Sequence, residues 1–299
     1  MRVETEPRPA ELPLPGGREG AAVRLHPLLT GELVLRRSFM ERRDVRLAGP
    51  RTWIQVLLRR GEAYAVPVPA FLIEHPGAGL VLVDTGLHPA CAHGDQNLGA
   101  NGRISEVRMA PEQAASARLR RLGHEPDEVA VVVMTHLHSD HASAVAEFPG
   151  ATFVVDGAEW ATATAPRGWM RGYVPRQFDH AFDWRTLDLD DPGIDSFATF
   201  SRAVDLFGDG SVRLLSTPGH TPGHLSVLVR LADREALMTA DAAYSMRTLA
   251  GQARPFIVDD EHVFQRSLGE IVRFVEQSPG LVVIPGHDPE RWTELDDVY

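Results

Sequence analysis

The amino-acid sequence predicts an α/β protein. Three observations carry that reading: short runs of β-branched and aliphatic residues bounded by Gly or Pro, amphipathic stretches of helical period, and the alternation of the two along the chain. In order, buried strands are expected at Leu80–Val83, Val131–Met134, Val212–Leu215, Ala236–Ala240 and Leu281–Ile284. A helix is expected over Pro111–Leu122, closed by Gly123, and a short one over His141–Glu147. A longer helix should run from Glu261 to Gln277, capped by Asp259 or Asp260 and stopped by Ser278-Pro279-Gly280. Its apolar face would carry Val263, Phe264, Leu268, Ile271, Val272 and Val275, so the helices should pack outside the sheets.

Residues 1–20 are polar and rich in Pro and Gly, without the apolar stretch of a secretory signal, and are expected to form a flexible leader. Residues 21–299 are expected to form a single domain. No segment approaches the ~20 uninterrupted apolar residues that span a bilayer, so no membrane partner is expected. The single cysteine, Cys91, cannot form an intramolecular disulfide, which fits a reducing cytoplasm.

Acidic residues outnumber basic ones, 41 to 30, for a net charge of −11, which argues against a nucleic-acid partner held by the overall field. Every basic residue is Arg. The absence of Lys removes Schiff-base and phosphate-loop lysine chemistry. One segment runs against the acidic trend: Arg36, Arg37, Arg42, Arg43, Arg46, Arg51, Arg59 and Arg60 face only Glu41 and Asp44. It reads as a solvated or inter-subunit face, the latter compatible with a homodimer, or as an anion-binding rim. The aromatic stretch Trp160, Trp169, Met170, Tyr173, Phe178, Phe182 and Trp184 is either core or the wall of an apolar substrate pocket.

The chemistry sits where the strands stop. The apolar runs end in Asp84, in Thr135-His136, near His220, in Asp241 and before His287. In layered α/β proteins ligands bind at strand ends, so these residues are expected to share one cleft. The densest signal is Thr135-His136-Leu137-His138-Ser139-Asp140-His141. Alternate residues of an extended segment point to one side, so His136 and His138 suit one metal ion, while Asp140 and His141 suit a second. Asp241, with two carboxylate oxygens, could bridge them.

This pattern resembles the metallo-β-lactamase-fold hydrolases, from about Ala70 to His287. Within them it is most similar to the N-acyl-homoserine lactonases, on four matches: Val83-Asp84-Thr85-Gly86, Thr217-Pro218-Gly219-His220-Thr221-Pro222-Gly223-His224, Asp241-Ala242-Ala243-Tyr244 and Pro285-Gly286-His287-Asp288. The tyrosine three residues after the aspartate is the most specific. The resemblance implies an αββα sandwich of two mixed sheets with two divalent ions at one edge, Zn²⁺ first, with Fe, Mn or Co also suiting such ligands. It implies His136, His138 and His220 on one ion, Asp140, His141 and His287 on the other, and Asp241 between them. Asp84 would orient a ligand, and His224 would be structural. Departures are Ser139, where the lactonases carry a large apolar residue, and Ala142-Ser143-Ala144, where they carry Ala-Gly-Gly.

The activity implied is ring opening of a small-molecule lactone by hydroxide held at the metals. Tyr244 would polarise the carbonyl, and Asp140 would protonate the leaving alkoxide. A thioester hydrolase resembling glyoxalase II would use the same ligands without Tyr244. A one-iron persulfide dioxygenase would not need Asp140, His141 and His287 together. A nuclease of the same fold is disfavoured by the charge, and a non-enzymatic metal scaffold by Tyr244.

Overall fold

A computed structural model describes residues 3–41, 62–94, 97–99, 101–103 and 105–299. Most of the arginine-rich segment, 42–61, lies outside them. Among the described residues the strands are β1 (Arg8–Pro9), β2 (Arg24–Arg36), β3 (Ala63–His75), β4 (Gly79–Val83), β5 (Glu106–Arg108), β6 (Val129–Val133), β7 (Thr152–Asp156) and β8 (Asp183–Leu187), then β9 (Ala203–Asp205), β10 (Val212–Ser216), β11 (Leu225–Arg230), β12 (Glu235–Ala240) and β13 (Val282–Pro285). The first eight form a mixed sheet in the order β1-β8-β7-β6-β4-β3-β2-β5, and the last five a second in the order β13-β12-β11-β10-β9. The helices are α1 (Arg37–Met40), α2 (Ala115–Arg121), α3 (Gly157–Thr164), α4 (Met246–Leu249), α5 (Glu261–Gln277) and α6 (Pro289–Trp292).

The central strands, such as β4, β11 and β12, are buried on both faces because each sheet is covered twice. In β4, Val81 and Val83 point into the inter-sheet core while Leu80 and Leu82 point out, towards Leu119 of α2 and Trp160 of α3. In β10 to β12, Leu214, Val227 and Met238 face inward; Leu215, Leu228 and Leu237 face outward against Ile271 and Phe274 of α5. The result is the expected αββα layering. Asp260 caps α5 by accepting from the His262 and Val263 amides. The buried face of α5 is turned slightly from the expected one: Phe264, Leu268, Ile271 and Phe274 are inside, while Val263, Val272 and Val275 lie at its margin.

Three expectations need correction. The first twenty residues are not a loose leader from residue 3 onward. Arg8 and Pro9 pair in parallel with Arg185 and Thr186 at the sheet edge, where proline is tolerated, and Ala10, Leu12 and Leu14 pack on the inter-sheet core. Residues 141–147 contain only a turn of 3₁₀ helix at Val145–Glu147. Thr85 takes the backbone groups a helix would use: its amide and hydroxyl donate to the His141 carbonyl, and its hydroxyl oxygen accepts from the Ala144 amide. The stretch over Pro111–Leu122 splits at Ala114, whose ψ of 142° is extended, although Gly123 closes it at φ +90°.

Asp156 ends β7 and caps α3 by accepting from the Ala158 amide. Burial pushes its carboxyl up to about 7, aided by Glu159 and Asp190 and opposed by the amides of Ala158 and Glu159. A folded-state pKa above the unfolded one means that stability is lost as pH rises from about 4 to about 7. Asp156→Asn keeps the cap oxygen and removes the charge. It should raise the melting temperature by roughly 2–6 °C at pH 8 and by less at pH 5. An equal shift at both values would show that the carboxyl is not held neutral.

Candidate metal centre

Five strand ends meet at one edge of the sandwich. β4 delivers Asp84, β6 the segment 135–141, β10 leads to His220, β12 delivers Asp241, and β13 leads to His287. Two of these junctions hold residues other than glycine in the left-handed region, Asp84 at φ +54° and Ala240 at φ +43°. Such conformations cost about 1–3 kcal/mol each and turn the chain sharply out of the strand. Gly219 has φ +126°, and a Cβ there would lie 2.3 Å from the Phe264 amide nitrogen, so only glycine lets the His220 loop sit on α5.

The seven expected ligands come together in two groups. His136, His138, His220 and Asp241 form the first, all buried; Asp140, His141 and His287 form the second. His220 Nε2 lies 2.9 Å from His138 Nδ1 and 3.2 Å from Asp241 Oδ2, with His136 Nε2 at 3.7 Å from the same oxygen. The other Asp241 oxygen, Oδ1, lies 3.1 Å from His287 Nε2 and 3.3 Å from His141 Nε2. Asp140 Oδ2 completes the second group at 3.6 Å from His287 Nε2 and 3.8 Å from His141 Nε2. Asp241 thus gives one oxygen to each group.

The donor chemistry fits two divalent cations. His136 Nε2, His141 Nε2 and Asp241 Oδ1 are buried without a hydrogen-bond partner, at positions where an uncompensated polar atom is costly. Each histidine is also fixed through its other nitrogen: His136 by Thr135 Oγ1, His138 by the Arg171 carbonyl, His141 by Asp84, His220 by the Ile257 carbonyl and His287 by the Pro67 carbonyl. Such bonds set the tautomer that leaves the inward nitrogen free to ligate.

Burial, with His141 adding to it, holds the His136 imidazole well below its ordinary pKa. His220 is likewise lowered by burial, with Asp241 opposing. His141 and His287 go the other way: burial would lower them, but Asp241 raises both. Burial alone would raise Asp241, but His287, His141 and His220 hold it well below the carboxylate range, so it is charged. His224 is not aimed at either group. Its Nε2 accepts from the Asp241 amide, its Nδ1 faces Thr217 Oγ1, and burial lowers it to about 3. Asp84 accepts from the Thr135 amide, the Thr135 hydroxyl and His141 Nδ1.

Tyr244 is buried with its ring centroid 5.7 Å from that of His220 and 5.3 Å from that of His287. Burial first, then the charges of Asp241 and Asp140, keep the phenol protonated. Before this group lies a cavity of about 60 Å³ walled by Leu33 and Leu35 of β2, Phe39 and Met40 of α1, Leu98 and Ile257. The aromatic stretch does not supply that wall. Trp160, Tyr173, Phe178 and Trp184 are core, while Trp169 and Met170 are 61% and 66% exposed. Ser139, at the first departure from the lactonase pattern, accepts from Asn101 Nδ2 and, like Asn101, lines the cavity. The wall went unread in the sequence: Val34 stands between Leu33 and Leu35, so no polar alternation marks their face.

The metallo-beta-lactamase superfamily matches residues 63–287. The N-acyl homoserine lactonase AttM of Rhizobium radiobacter is 34% identical over 242 residues, covering 79% of this chain and 87% of that one. The N-acyl homoserine lactonase AiiB of Agrobacterium fabrum is 33% identical over 248 residues, covering 77% and 82%. Among solved structures, an N-acyl homoserine lactone hydrolase with the product N-hexanoyl-L-homoserine bound at the catalytic metal center superposes with a TM-score of 0.73 at 21% identity, over 91% of this chain and 96% of that one.

Proposed function

The chain belongs to the metallo-beta-lactamase superfamily and, within it, to the N-acyl homoserine lactonases, and from that premise we propose that it hydrolyses an N-acyl-homoserine lactone at a dinuclear centre. His136, His138 and His220 would hold one ion, Asp140, His141 and His287 the other, with Asp241 shared. Zn²⁺ is the ion proposed, because His and carboxylate donors in groups of three to four suit it. When bound, the ions supply Lewis acidity and a water ionised near neutral pH.

The chain's own residues do the rest. Tyr244 donates its hydroxyl to the lactone carbonyl oxygen as charge builds there. Asp140, at the cavity floor, carries the proton to the departing alkoxide. The apolar wall of Leu33, Leu35, Phe39 and Met40 accepts the acyl chain and excludes water from the reacting ester. The single cysteine supports a reducing, cytoplasmic setting, and among the described residues no helix is long and apolar enough to cross a membrane.

The observation that carries this reading is that both donor groups meet on one carboxylate, Asp241, and that Tyr244 lines the same apolar cavity as Asp241, Asp140 and His287. Elemental analysis of protein purified without chelator should give a metal-to-chain ratio of about two, falling to about one in His287→Ala. Proton release should follow addition of N-hexanoyl-homoserine lactone, faster than with a thioester of the same chain. A well-occupied ratio near one that His287→Ala leaves unchanged, or hydrolysis of the thioester alone, would overturn the assignment.

A further inference from the structure

Glu159 is fully buried in the first turn of α3, and the reaction as proposed does not use it. Its Oε1 accepts from the Leu137 amide at 2.9 Å, and its Oε2 accepts from the Gly223 amide at 3.3 Å. Leu137 stands between His136 and His138; Gly223 closes the turn that begins at His220. The approach is tight, since a Cβ on Gly223 would lie 2.3 Å from the Glu159 nitrogen and 2.7 Å from its Cβ. The neighbouring Tyr173 adds to the same side. Its ring sits 5.1 Å from that of His138, and its phenol lies beside Glu159 and Thr221.

We propose that Glu159 is a positioning residue for the first metal site: its carboxylate ties together the two loops that carry His136, His138 and His220, and so sets the affinity of that site more than that of the second. A buried carboxylate costs several kcal/mol unless hydrogen bonds or a helix N-terminus offset it, and here both are present. Only a carboxylate accepts from both amides. A glutamine offers one oxygen, and its NH₂ would face the other amide as a second donor. His141 and His287 are held from elsewhere, by Asp84 and the Pro67 carbonyl. Asp84 also reaches His136 through Thr135, so it acts on both sites, whereas Glu159 holds the 135–141 segment at Leu137, between the two first-site histidines, and the His220 loop, which carries no second-site ligand.

The proposal rests on the two-site reading and is tested separately from it. Zn²⁺ affinity is measured by competition with a chelating dye in two single-site backgrounds, His287→Ala, which keeps the first site, and His220→Ala, which keeps the second. Adding Glu159→Gln should weaken binding by roughly 10–100-fold in the first background and much less in the second. Equal losses in both, or none in the first, would overturn it. If His287→Ala binds as many ions as the parent, the two-site reading fails whatever Glu159 does. Circular dichroism checks folding. Should Glu159→Gln not fold, Gly223→Ala, whose methyl presses on the Glu159 backbone, should give the same one-sided loss. Failure of both to fold assigns Glu159 to the fold and overturns the proposal.

Discussion

Asp241→Asn is expected to lose metal and lactone turnover together. Asp241 faces His220 and His136 with one oxygen and His287 and His141 with the other, within 3.1 to 3.7 Å. Its negative charge is the one formal charge common to both groups, and His287, His141 and His220 keep it ionised against burial. An amide offers one neutral oxygen and an NH₂ that repels a cation, so one ion loses its anchor outright and the other loses its charge partner. The metal-to-chain ratio should fall from about two to one or below. Asp84→Asn is the control. Asp84 holds His141 and, through Thr135, His136 without entering either donor group, so its loss should cost about 10–100-fold in activity or metal affinity. Paired elemental analysis and lactone assays decide. Intact metal in Asp241→Asn beside metal loss in Asp84→Asn would mean that the two carboxylates have exchanged roles.

Why Asp84 and Asp241 could be found in the sequence follows from where they stand. An aliphatic run that stops abruptly at an aspartate or histidine marks a strand end, and a buried strand end cannot carry a charged side chain without a partner. The same logic exposed His136, His220 and His287. The period-two split of Val81 and Val83 from Leu80 and Leu82 could not be seen, because both faces are apolar when both are covered. Proline and glycine in the first twenty residues hid the alternation of Ala10, Leu12 and Leu14, which only a sheet edge makes meaningful. Glu159 left no local signal. At the third position of a helix an acidic residue reads as an ordinary first-turn charge, and its reach to Leu137 and Gly223 is made by the fold. The Thr85 bonds that unmake the expected helix after His141 are of the same kind, long in sequence and short in space.

Tyr244→Phe should lower lactone turnover by about 10²–10³-fold while both metal ions and the fold remain. The ring stays packed against His220 and His287, and the Tyr244 carbonyl still accepts from the His287 amide, so nothing that holds the donors is removed. What is lost is one neutral donor on the cavity wall, kept protonated by burial and by the charges of Asp241 and Asp140. Because the phenol is never ionised near neutrality, the loss should be the same at pH 6 and pH 8 once metal content is matched. A donor aimed at developing charge acts on the transition state more than on the bound ester, so the effect should fall on kcat and leave KM nearly unchanged. An activated thioester, with a better leaving group, should be affected less. If lactone turnover falls only in step with lost metal, or does not fall, Tyr244 is a packing residue, and the reading that separates a lactonase from a general ester hydrolase of this fold loses its most specific support.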